Sequence, residues 1–128
     1  MLGVDQHNAM LVKSQHMQTV VQCASSQEAL DLLQYCLGED GDVIPGRHFR
    51  EELRNEGLDM EDAFAVLRTG MIYDPPEPDI KTGEWKWRVE GKCPDGQYIG
   101  IVFSFKTVER AFLITVFSIE RQRRGGKK

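Results

Sequence analysis

One short segment of the sequence concentrates groups that could cleave RNA without a metal ion. Residues 46–54 contain His48 together with Arg47, Arg50 and Arg54. Cleavage at a ribose 2′-hydroxyl needs a proton acceptor, a donor for the leaving oxygen and cations around the phosphate. A helix would place Arg50 and Arg54 on one face, and its N-terminal dipole would favour His48 as a base. We therefore take His48, Arg50 and Arg54 as candidate catalytic residues and Arg47 as a candidate RNA-binding residue.

A predicted strand supplies further cations. Residues 85–89 alternate large aromatic side chains with Lys86 and Arg88. Alternate residues of a strand point to opposite faces, so the two cations share a face that is directed at solvent or at a ligand. We take Arg88 as a fourth candidate catalytic residue, and Lys86 and Tyr98 as candidate RNA-binding residues, because tyrosine can stack on a base. The site requires the helix and this strand to converge.

The same residues also have a simpler interpretation. The helical arginines can pair with Glu51, Glu52 or Glu56 on an ordinary solvated surface, and Tyr98 can pack in the core or at a sheet edge. The net charge of −4 argues against non-specific nucleic-acid binding as the whole role of the surface.

Metal and cofactor sites are not predicted. The three cysteines, Cys23, Cys36 and Cys93, lack the paired spacing of a zinc site. The sequence also lacks the phosphate-loop, dinucleotide, nucleophile-elbow and zinc-protease motifs. We therefore expect neither a cofactor nor a metal.

The length of 128 residues predicts one domain. We divide the chain into a flexible lead-in at residues 1–20, a single domain at 21–119 and a basic tail at 120–128. No apolar run approaches the ~20 residues of a membrane span, and the N-terminus lacks a signal-peptide pattern. We expect a cytoplasmic protein that does not contact a membrane.

The elements that must position the candidate residues are predicted from caps and periodicity. Ser25 and Asp59 are predicted helix caps, and Gly57 and Gly70 are predicted helix stops. A proline-rich connector follows, and then three segments of strand-like alternation. These patterns predict an α+β fold, with two or three N-terminal helices packed on a curved antiparallel sheet of about three to four strands.

Five motifs between residues 43 and 119 resemble a small bacterial domain that is grouped with the RelE/ParE and BrnT toxin superfamily. The motifs are His48-Phe-x-x-x-Leu53-x-x-x-Gly57-Leu58-Asp59, Tyr73-Asp74-x-Pro76, Gly83-Glu84-Trp85, Val89-x-Gly91 and Ile114-Thr115-Val116-Phe117. The resemblance implies helices against a curved antiparallel sheet, cleavage of mRNA and masking by a small antitoxin. Related domains often carry arginine where this chain has Glu52 and Glu56, so Arg50 and Arg54 would have to substitute for them.

Two functional hypotheses follow. The first is a toxin-like, metal-independent endoribonuclease that acts on mRNA and is bound by a small antitoxin protein. The second is a non-catalytic interaction module on the same fold, which binds a protein through its aromatic sheet edge or its proline loop. The simplest form of the second hypothesis is a homodimer.

Overall fold

A computed structural model describes residues 9–13 and 19–119. Within those residues the chain forms three helices and seven strands. The helices are α1 (Ser26–Cys36), α2 (Arg47–Asn55) and α3 (Met60–Thr69). The strands are β1 (Ala9–Lys13), β2 (Thr19–Cys23), β3 (Asp42–Pro45), β4 (Glu77–Pro78), β5 (Trp85–Lys92), β6 (Tyr98–Thr107) and β7 (Arg110–Ser118).

The structure describes only part of the two ends of the chain. The predicted basic tail, residues 120–128, lies outside the described residues, as do residues 1–8 and 14–18 of the predicted lead-in. The lead-in does contain β1, which pairs with β2 as an antiparallel hairpin. In the described part of the chain, none of the helices combines the length and apolarity needed to cross a membrane.

The helices begin at the caps that the sequence predicts. The Ser25 hydroxyl accepts the N–H of Glu28 at 3.1 Å, which satisfies one of the free amides at the start of α1. Asp59 and Asp62 form a reciprocal capping box at the start of α3, with both bonds at 3.0 Å. Gly57, with φ of 75°, allows the tight turn between α2 and α3.

The prediction of an antiparallel sheet of about three to four strands is wrong. Five strands form one mixed sheet in the order β3-β7-β6-β5-β4, and β3 runs parallel to β7. The two unpredicted members are the edge strands, which have four and two residues and both end in proline. Proline cannot donate to a sheet ladder, so it is tolerated at an edge.

The two faces of the sheet differ in burial. One face packs against the helices and holds large apolar side chains that are at most 2% exposed: Trp87, Val89, Ile101, Phe103 and Leu113. The end of α3 approaches β5 so closely that a Cβ on Gly91 would lie 3.1 Å from Cα of Gly70. The opposite face keeps Lys86, Arg88 and Phe117 partly exposed.

Candidate functional site

The candidate residues of α2 lie on its solvent-exposed surface. Phe49 and Leu53 are buried, whereas His48, Arg50 and Arg54 are exposed. His48 and Arg50 are two positions apart, which is about 200° around a helix, so they project from different sides of α2. In the described part of the chain, none of the three exposed residues makes an ion pair.

Arg47, at the start of α2, is also exposed. Its Nε lies 3.6 Å from a carboxylate oxygen of Glu51, one helical turn away. Exposed pairs of this kind contribute little to stability, about 0.3–0.5 kcal/mol. The arrangement is that of a solvated helix face, which is one of the two interpretations open from the sequence.

Two of the predicted cations do meet at one cavity. Lys86 and Arg88 line a cavity of about 450 Å³ together with Asp74, Glu77 and Val102, and we call it the cationic cavity. The residues of α2 are not part of its lining. The structure therefore brings together the strand half of the predicted site but not the helix half.

Tyr98, the predicted base-stacking residue, lies away from these cations. It pairs with Lys92 where β5 and β6 meet at their turn, whereas Arg88 pairs with Val102. Val102 lies four positions after Tyr98, which is roughly 13 Å along the strand. Tyr98 therefore sits outside the cationic cavity.

Arg88 is held by two carboxylates. It forms an ion pair with Asp74 of the proline-rich connector, and its Nε lies 2.9 Å from a carboxylate oxygen of Glu90. The Nε makes no hydrogen bond of acceptable geometry among the described residues, so its contact with Glu90 is an ion pair without a directed N–H bond. The guanidinium also lies 6.0 Å from the ring centre of Phe117. Its positive charge is thus already compensated within the chain.

Lys106 is bound in a similar way. Its Nζ lies 3.0 Å from both carboxylate oxygens of Glu84 and 5.2 Å from the ring centre of Phe112. The hydroxyl of Ser104 donates to the same carboxylate at 3.5 Å. Arg88 and Lys106 are therefore balanced by acidic neighbours, and a polyanion would have to compete with those neighbours.

A larger cavity lies beside the proline-rich connector. Its volume is about 550 Å³, and its walls include three prolines, both tryptophans and the residues before and at the start of α1. We call it the aromatic cavity and define it by Tyr73, Pro75, Pro76, Pro78, Trp85 and Ser26. Tyr73 is 51% exposed at this cavity. Pockets of this size and apolar character are typical binding sites.

Both cavities arise from one irregularity at the edge of the sheet. Met71 forms an isolated bridge to Glu90, and Glu77 pairs with Lys86. Six positions separate Met71 from Glu77 and only four separate Lys86 from Glu90, so the connector carries two extra residues and arches away from β5. Alternation along β5 directs the tryptophans to one side and the cations to the other. The arch therefore borders an apolar cavity and a cationic cavity.

The cysteines do not supply a nucleophile. All three are free and buried. Burial, reinforced by the nearby Glu28 carboxylate, raises the pKa of the Cys23 thiol to about 12, and burial raises that of Cys36 to the same value. These thiols stay protonated at neutral pH, whereas a nucleophilic cysteine needs a lowered pKa. The described residues also contain no cluster of three or more His, Cys, Asp or Glu residues that could hold a metal ion.

The sequence reasoning missed the carboxylates that bind Arg88. Glu90 follows Arg88 by two positions, so strand alternation alone could have placed both on one face. Asp74 is 14 positions away in the connector, and no local pattern links it to Arg88. The interaction hypothesis named the aromatic sheet edge and the proline loop, but not the cavity that they form with the start of α1, because the two walls come from distant parts of the chain.

Comparison with protein-family models matches residues 46–118 to the family described as Domain of unknown function (DUF4258). The matched range covers more than half of the 128-residue chain, from the start of α2 to the end of β7. No curated protein and no solved structure matches the chain. The family match carries no link to the RelE/ParE/BrnT superfamily, so that resemblance stays a prediction.

Proposed function

The chain belongs to the DUF4258 family, and we propose that it is a non-catalytic interaction module that binds a polypeptide at the aromatic cavity. The observation that carries the proposal is the lining of this cavity of about 550 Å³ by Tyr73, Trp85 and three prolines. Tryptophan and tyrosine are the residue types most enriched among the energetically dominant positions of protein interfaces. Their rings bury a large area at low cost in side-chain entropy.

The electrostatics support a polypeptide over a nucleic acid. Two cations of the sheet, Arg88 and Lys106, are paired with carboxylates, and Lys86 is the cation at the cationic cavity that makes no ion pair among the described residues. Affinity for a polyanion comes mostly from cations that release counterions from phosphates. Paired cations in a chain of net charge −4 contribute little of that attraction.

The proposal is tested by comparing tyrosine substitutions at and away from the aromatic cavity. Tyr73→Ala removes an exposed side chain from the wall of the aromatic cavity. Tyr98→Ala is the matched control, because Tyr98 begins β6 at the end away from Trp85 and does not line the cavity. Purified wild type and both variants are titrated with the partner obtained by tagging the protein in its native host. We expect Tyr73→Ala to weaken binding at least about tenfold and Tyr98→Ala to leave it unchanged. Equal binding by all three proteins would refute the proposal.

A second candidate function is a metal-independent endoribonuclease of the RelE/BrnT type, acting on mRNA and bound by a small antitoxin. The observation that favours it is the shared position of Lys86 and Arg88 at the cationic cavity of about 450 Å³. In this proposal Arg88 acts with His48, Arg50 and Arg54 in cleavage, while Arg47, Lys86 and Tyr98 bind RNA.

The endoribonuclease is tested with RNA incubated with the purified protein in EDTA, and by following growth during expression. Slowed growth and cleaved RNA, both lost in His48→Ala and in Arg88→Ala, would support it and would contradict the non-catalytic module. Intact RNA and normal growth with the wild type would remove this candidate. The variants must be checked for folding, because Arg88 also pairs with the buried Glu90.

We place the module in the cytoplasm. The three cysteines are free and buried rather than bridged, which fits a reducing compartment. Formation of a disulfide between any two of them in the protein isolated from its host would contradict this location.

A further inference from the structure

We propose that the partner at the aromatic cavity is a second copy of this chain, with Ile80 of each copy inserted into the aromatic cavity of the other. This inference rests on the proposed interaction function and names its partner. The cavity has an apolar lining, and the same hairpin carries an apolar side chain that is fully in solvent. The chain thus carries both halves of a self-complementary contact.

Ile80 is the apolar half of that contact. It is 100% exposed, at the turn that joins β4 to β5. Isoleucine is among the residue types that are most often fully buried. Three other large apolar side chains are exposed among the described residues. Met71 and Tyr73, which are 46% and 51% exposed, flank the start of the same connector, whereas Ile44, 37% exposed, lies on β3 at the opposite edge of the sheet. Three of these four exposed side chains therefore lie between residues 71 and 80.

The turn holds Ile80 in a defined position. The Asp79 carboxylate accepts the N–H groups of Lys81 at 2.8 Å and Thr82 at 3.1 Å. The Gly83 N–H donates to the Asp79 carbonyl at 2.8 Å, and the Asp79 N–H donates to the Glu84 carbonyl at 2.7 Å. A side chain presented on such a turn loses little entropy when it enters a partner, which favours association.

The position of the two halves suits a symmetric dimer. Pro78 lines the aromatic cavity and pairs with Trp85, which lines it as well. Ile80 follows Pro78 by only two positions. In a two-fold contact, the same patch is used by both copies, so a protruding group and a cavity on one hairpin can be exchanged reciprocally. In such a dimer each Ile80 occupies the aromatic cavity of the other copy, so no aromatic cavity is left for a third copy.

The aromatic cavity suits an uncharged side chain. Its lining contains no charged residue among those that the structure describes, and Glu77, which lies between two of its prolines in the sequence, lines the cationic cavity instead. Ile80 of the other copy therefore enters the aromatic cavity without burying a charged group.

The two tryptophans make the contact directly measurable. Trp85 and Trp87 are the only tryptophans in the sequence, and both line the aromatic cavity. We expect the full chain to show a dimer mass in analytical ultracentrifugation. On dilution the mass should fall to that of a monomer, and tryptophan emission should shift to longer wavelength with the same midpoint.

Ile80→Asp tests the inserted side chain, and Ile80→Leu is its matched control. The position is fully exposed in the single chain, so neither variant disturbs the core, as circular dichroism can verify. Because a dimer contains two copies of the contact, Ile80→Asp should raise the dissociation constant by about 100-fold or more. Ile80→Leu should stay within about tenfold of the wild type, because it keeps an apolar side chain.

A mixing experiment tests reciprocity. Ser26→Trp blocks the aromatic cavity but leaves Ile80 available for insertion. Ile80→Asp removes the inserted side chain but leaves the aromatic cavity open. Each variant alone should be monomeric, and an equimolar mixture should form a heterodimer through the one intact contact. A mixture that stays monomeric like its components would contradict the reciprocal exchange.

The outcomes separate this inference from the function on which it rests. A wild-type chain that is monomeric at millimolar concentration, or an Ile80→Asp variant that dimerises like the wild type, overturns the dimer. If a different host protein then binds with an affinity that depends on Tyr73, the interaction module stands without the second copy. If no ligand depends on Tyr73, both proposals fail.

Discussion

Arg88 and Glu90 form an ion pair of 2.9 Å along β5, and Glu90 is only 2% exposed. A carboxylate at that depth needs a cation, because removing a charge from water without a partner costs several kcal/mol. Arg88 therefore has a structural role that is independent of any RNA substrate. Loss of activity in an Arg88 variant would have to be separated from loss of folded protein.

Arg88→Ala should destabilise the fold by about 1–3 kcal/mol, since it removes the cation that lies 2.9 Å from the buried Glu90 carboxylate while the site remains partly open to water. Urea unfolding measures the change in the free energy of unfolding. Lys86→Ala removes a cation from the same face without breaking an ion pair among the described residues, and it should change stability by less than about 0.5 kcal/mol. Adding Glu90→Gln to Arg88→Ala should recover part of the loss. Equal effects of Arg88→Ala and Lys86→Ala would contradict the pairing role.

Gly70→Ala should destabilise the protein by about 1–3 kcal/mol through a steric clash at the end of α3. A Cβ at Gly70 would lie 2.6 Å from the carbonyl oxygens of Glu90 and Val66, which are backbone atoms with little freedom to move. Gly38→Ala is the matched control, because its Cβ would come no closer than 3.4 Å to another residue. Thermal or urea unfolding of both variants provides the comparison, and a Gly70→Ala protein as stable as Gly38→Ala would show that α3 can shift away from β5.

The elements and contacts that the sequence predicts are those encoded locally. The caps at Ser25 and Asp59 need only residues three positions away, and the face shared by Lys86 and Arg88 needs only alternation. The parallel pairing of β3 with β7 joins Asp42 to Arg110, and no local pattern specifies a partner so far along the chain.

The same reason limits prediction of the site. The aromatic cavity forms where the start of α1 meets the proline arch, and the arch exists only because the connector is two residues longer than the stretch of β5 that it spans. Convergence of His48 with Arg88 likewise depended on where α2 packs. The burial of Phe49 and Leu53 sets the position of α2. Their apolar pattern does not predict which part of the molecule lies near the charged side of the helix.

Buried thiols should make stability fall at alkaline pH. The pKa of Cys23 and that of Cys36 are raised from 9.0 to about 12 in the folded protein, because burial disfavours the thiolate. Between these values the unfolded chain releases protons that the folded chain keeps, so stability is full below about pH 9 and falls as the pH rises towards 12. The slope is at most about 1.4 kcal/mol per pH unit for each thiol.

Urea unfolding at pH 8 and pH 10.5 measures this dependence. Other groups also titrate in that range, so the informative quantity is the difference between the wild type and Cys36→Ala. The variant is less stable at pH 8 because it loses packing, but its stability should fall less steeply between the two pH values. Parallel curves for the two proteins would mean that the thiol at Cys36 is not protected from ionisation.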